Sequence, residues 1–94
     1  MLFEVDIEGH GFTLQREGRV VSARIMARRY VDAVDHDEAQ ELAIELLSDE
    51  LNALGIKDAR AQPVLEVVAI RRLAYDEVAA PEQPPIEWRD GDMP

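Results

Sequence analysis

Residues 31–56 read VDAVDHDEAQELAIELLSDELNALGI, and they decide the fold because a strand gives way to a helix inside them. Asp35 stands where its carboxylate can accept from the free amides of a first helical turn, and Glu38, three residues on, can reach back. Asp37 and Glu38 also suit the positive end of a helix dipole. Ala39, Leu42, Ala43, Leu46, Leu47, Leu51 and Leu54 recur at helical spacing, which predicts an amphipathic helix of about 19 residues and about 28 Å. Gly55 is expected to end it, with Ile56 making the apolar contact that follows a glycine cap.

The same stretch carries eight acids, Asp32, Asp35, Asp37, Glu38, Glu41, Glu45, Asp49 and Glu50, and no Lys or Arg. Residues 77–94 add five more against Arg89 alone, within a 94-residue chain of net charge −10. Elsewhere bases slightly outnumber acids. A charge distribution of this kind steers encounters and selects partners without specifying a fold. Capping and the dipole account for Asp35, Asp37 and Glu38. Glu41, Glu45, Asp49 and Glu50 are left over, expected on the outward side of the helix without Lys or Arg four residues away. They are candidate partner-binding residues.

Upstream, Phe3, Val5 and Ile7 alternate with Glu4, Asp6 and Glu8, the period of a strand with one buried face. Gly9-His10-Gly11 is expected to break this strand, and Phe12 to Val20, turning at Glu17-Gly18, to form a small hairpin. From Val20 to Ala33 a second strand places Val21, Ala23, Ile25, Ala27, Val31 and Ala33 on one parity, which should face the helix. After a loop over residues 57–63, a third strand runs from Val64 to about Tyr75. Its two parities are both apolar, so it should be covered on both sides.

These elements define an α+β class: a three- to four-stranded, mostly antiparallel sheet packed on one amphipathic helix in ββαβ order. Residues 1–78 form the domain, and residues 79–94, rich in proline and acid, an extended C-terminal arm. Trp88 is the chain's one tryptophan and is expected to dock on its own sheet or on a partner's; the rival reading is a short motif for another protein. At about 45 Å and 40 Å, the second and third strands outrun the helix and the first strand. A bulge, pairing with the segment after Gly11, or a second chain would resolve this, and a homodimer with sheets meeting face to face or edge to edge is expected.

Chemistry is sparse. There is no Cys, which removes disulfides and thiolate metal sites, and the nucleophiles and bases reduce to Ser22, Ser48, Thr13, Lys57, His10 and His36 without a diagnostic motif. No enzyme activity, cofactor or metal is expected. Arg24, Arg28 and Tyr30 share a strand face and are candidate anion-binding residues, although Glu4, Asp6 and Glu8 on the neighbouring strand would neutralise them. Arg29 and Arg71 fall on apolar parities; a buried Arg needs a carboxylate, and Asp32 and Asp76 are the nearest in sequence. DNA binding is disfavoured by the net charge, and the absence of a long apolar stretch argues against a membrane span. A bacterial cytoplasmic protein is the expectation, with nine Arg against one Lys reflecting a GC-rich genome.

The amino-terminal strand, Gly11-Phe12, Tyr30-Val31-Asp32-Ala33, Asp35, Glu38-Ala39, the Leu-rich helix, the last apolar strand and the Pro/Trp tail together resemble a group of small uncharacterised bacterial ββαβ proteins. The junction Val31-x-Ala33-x-Asp35-x-x-Glu38-Ala39 is also similar to antitoxins of the HicB type. These usually add a DNA-binding segment, for which an acidic tail is a poor substitute. No residue role transfers from either likeness. Three roles remain: a non-catalytic acidic interaction module acting as a homodimer; an immunity- or antitoxin-like inhibitor that holds a basic partner through the acidic helix face; and a small-anion binder on the Arg/Tyr face.

Overall fold

A computed structural model describes residues 1–54, 64–74 and 82–90 of the chain. Strand β1 (Leu2–Arg16) turns into β2 (Arg19–Asp32), helix α1 (His36–Ala53) follows, and β3 (Val64–Arg72) and β4 (Glu87–Asp90) complete a four-stranded sheet. The order is β3-β1-β2-β4 with every pairing antiparallel, and α1 packs on one face. The α+β class and the ββαβ order are those the alternation predicts. β4 is an addition to them: part of the arm is itself an edge strand. Among the described residues no helix is long and apolar enough to cross a membrane.

The helix begins as its sequence dictates. Asp35 accepts from the Glu38 amide at 2.8 Å, and Glu38 reaches back to the Val34 amide at 3.2 Å, one residue before the cap. Ala39, Ala43, Leu47 and Leu51 are buried beneath it, whereas Leu42 lies on the solvent side and Leu54, past the last turn, is 63% exposed. The expected Gly55–Ile56 cap, the loop over 57–63, the end of the third strand at Tyr75, Asp76, and the arm at residues 79–81 and 91–94 lie outside the described residues.

Gly9-His10-Gly11 does not break the first strand. Gly9 pairs with Ile25 and Phe12 with Ala23, so His10 and Gly11 together oppose Arg24 in a bulge, with Gly11 at φ 84°. The long hairpin, closed by Glu17 (φ 52°) and Gly18 (φ 77°), outweighs a local glycine signal, because two positive φ values in a two-residue turn match the twist of paired strands. The bulge also moves the buried parity from Phe3, Val5 and Ile7 to Phe12, which keeps Phe12 in the core. Gly9 has a separate reason to be glycine: a Cβ there would stand 2.7 Å from Ile25 Cγ1, 2.8 Å from Phe12 Cε2 and 2.9 Å from Leu65 Cδ2.

β3 departs from its expected double cover. A bulge at Val68 puts Leu65, Val67 and Ile70 on one face, opposite Gly9, Ile7 and Val5, and they pack partly against the core. Val64 and Val68 are 53% and 48% exposed. Among the described residues β3 pairs with β1 alone, and no described strand lies along its other edge.

Candidate functional site

Two sides of the sheet are built differently, and the contrast begins at Arg29. On the helix-facing parity of β2, Arg29 is 1% exposed, the sole charged residue among the described buried ones. Burial of a guanidinium requires its donors to be met. Glu50 supplies two acceptors, at 2.6 Å from Nε and 3.0 Å from Nη2; Nη1 donates to the carbonyls of Arg28 and Pro84, each at 2.6 Å. The carboxylate therefore comes from the helix and not from Asp32, which meets the amino terminus at 2.8 Å. Glu50 also leaves the outward acidic group in which the sequence places it. It stands four residues after Leu46 and seven after Ala43, on the apolar stripe, a signal that the acidic run conceals.

The arm is fastened by the same residue and its neighbours. Pro84 accepts from Arg29, and the Gln83 side-chain amide accepts from the Tyr30 amide at 2.9 Å and donates to the Tyr30 carbonyl at 2.8 Å, imitating a strand neighbour. Further along, β4 pairs with residues 23–26 of β2. Ile86 and Trp88 pack against the core, and the Trp88 ring meets Phe12 edge-on at 5.9 Å between centroids. Trp88 thus docks on its own sheet, the first of the two alternatives, and the β2 edge is covered.

On the same face, the flank of α1 towards β3 is acidic. Glu41, Glu45 and Asp49 are exposed, as their positions predict, and make no ion pair among the described residues. Glu41 and Glu45, with Gln40, edge a groove of about 630 Å³ between α1 and β3; Ile44, Leu65 and Val67 form its apolar part. The groove thus has an apolar floor under an acidic rim, next to the outer edge of β3.

The Arg24, Arg28 and Tyr30 face is largely neutralised. Arg28 sits opposite Asp6, bonded at 2.7 Å and 3.2 Å, with Glu4 at 3.6 Å. The Asp6 hydrogen bond, then the charges of Asp6 and Glu4, raise the Arg28 pKa above its ordinary value. Glu4 also lies 3.4 Å from Arg71 of β3. A depression of about 420 Å³ beside Arg28 and Tyr30 is lined by Asp6 and Glu87 as well, so an incoming anion meets carboxylates. Arg24 is brought next to a second base, Arg89, directly across the ladder. The two histidines are engaged locally: His36 packs edge-on to Phe3 at 4.9 Å, and His10 lies 3.3 Å from Glu8. Among the described residues no three His, Cys, Asp or Glu side chains converge as metal ligands would.

Comparison with known proteins finds no matching family model, no matching curated protein and no matching solved structure.

Proposed function

We propose that this protein is a small non-catalytic interaction module that acts as a homodimer and uses the α1–β3 side for contact. The observation that carries this is the unequal treatment of the two sheet edges. An open edge is a ready template for another strand, and soluble proteins ordinarily cover or blunt it. Here residues 23–26 and Tyr30 on the β2 edge are bonded to β4 and to the Gln83 amide, whereas among the described residues β3 has no neighbour on its outer edge and exposes Val64 and Val68 beside an apolar groove. Size-exclusion chromatography with light scattering tests the reading. A mass about twice 10.6 kDa is expected; a monodisperse monomer at high micromolar concentration contradicts it.

A second reading is favoured by Glu41, Glu45 and Asp49, a run of charge on the helix flank without an ion-pair partner among the described residues: an immunity- or antitoxin-like inhibitor that occludes a basic partner. Its binding should weaken steeply with salt. Joint replacement Glu41→Gln, Glu45→Gln and Asp49→Asn should reduce capture of that partner at least tenfold, and unchanged affinity would remove this reading.

A further inference from the structure

We infer that the second copy docks by antiparallel pairing of β3 with β3, and that Arg72 of the partner subunit enters the groove between α1 and β3. This rests on the homodimer reading above and specifies its interface. The sequence of β3, VLEVVAIRR, places Glu66 in its first half and Arg71 and Arg72 at its end. Charges on an edge strand ordinarily repel an arriving strand. In this order they match a second copy running the other way, since antiparallel pairing sets the acidic half of each strand against the basic half of its partner. A parallel approach would set like against like.

The faces match as well as the order. Arg72 is opposite Phe3 and Leu65 opposite Gly9, so both project on the helix-covered side of the sheet. The groove with Glu41 and Glu45 lies at the Leu65–Val67 end, the end that Arg72 of the partner subunit reaches when the two-fold axis falls near Val68. On the other face Glu66, opposite Glu8, meets Arg71 of the partner subunit. A two-fold axis makes each of these contacts twice. It also limits growth: the arm already occupies the β2 edge at residues 23–26, so joining the two β3 edges gives a closed dimer and not a filament.

Charge reversal with rescue tests the contact, read by light scattering and analytical ultracentrifugation, with circular dichroism as a check on folding. Arg72→Glu alone and Glu41→Arg with Glu45→Arg should each weaken the dimer at least tenfold, and the three together should restore it. In a chain without native cysteine, Val68→Cys should oxidise to a covalent dimer, because residues beside the two-fold of an antiparallel pair lie about 5 Å apart. A dimer that survives Arg72→Glu and does not cross-link at Val68→Cys overturns this interface and leaves the homodimer reading standing. A monomeric wild type overturns both. A monomer that instead binds an alternating Lys-Val peptide, and loses it on Glu41→Gln with Glu45→Gln, assigns the groove to a foreign basic strand and likewise overturns self-pairing.

Discussion

Glu50 holds the buried guanidinium of Arg29 with both carboxylate oxygens, at 2.6 Å and 3.0 Å, while the remaining arm of the same guanidinium holds the Pro84 carbonyl. One side chain thereby ties β2 to the helix and to the C-terminal arm. Removing the carboxylate leaves a charge buried without its counter-ion. Glu50→Ala should cost about 3 kcal/mol, lowering Tm by roughly 10–20 °C in a domain of this size. The double change Arg29→Met with Glu50→Leu should be less destabilised than Glu50→Ala, because it removes the stranded charge instead of creating it. Thermal denaturation of the set checks the ordering.

Arg28 supplies the contrast from the next position. Its contacts with Asp6 and Glu4 lie on the wet face, where Coulomb attraction is screened and the side chains lose freedom on pairing. Arg28→Ala should change stability by less than about 1 kcal/mol. Urea titrations should therefore separate two adjacent arginines by several-fold in effect. A loss at Arg28 equal to that at Arg29 would contradict the assignment of their faces.

Gly9 should tolerate no side chain without local movement. An added Cβ falls within 3.0 Å of three side-chain atoms, those of Ile25, Phe12 and Leu65, and the first two of these side chains are buried in the core. Gly9→Ala is expected to destabilise by about 1–3 kcal/mol through overpacking. The same change at Gly18, where nothing stands within 4 Å, acts through its positive φ alone. Calorimetry of the two variants should show the larger loss at Gly9.

Trp88 makes the arm visible. As the lone tryptophan, packed on the core and against Phe12, it should emit at shorter wavelength than a free indole, and the shift should be lost together with the helical signal on unfolding. Trp88→Ala should cost about 2 kcal/mol for a half-buried ring and speed proteolysis of the arm. An emission maximum at the free-indole position in the folded protein would contradict docking.

Much of the fold was legible where pattern and local chemistry agree. The alternation of Phe3, Val5 and Ile7, the parity of Ala23 to Val31 and the Asp35–Glu38 cap all lie where the sequence puts them. The two misplacements in the strands share one cause, a bulge that shifts parity. At His10-Gly11 it lets a strand run on through two glycines; at Val68 it gathers Leu65, Val67 and Ile70 on one face, so a strand apolar at both parities is covered on one side only. Parity counting has no means of seeing an extra residue. Of the candidate partner residues, Glu41, Glu45 and Asp49 stay on the open flank, while Glu50 follows the apolar stripe inward to Arg29. Charge alone did not distinguish them; helical phase does.

Amide hydrogen exchange across residues 64–72 tests directly whether the outer edge of β3 receives a second copy. In the proposed dimer the outward amides of β3 are bonded to a second copy, so their protection should rise with protein concentration and fall in Arg72→Glu, while residues 23–26, already paired with β4, stay constant. Exchange in residues 64–72 that is fast and independent of concentration, in a protein that is nonetheless dimeric, would contradict it.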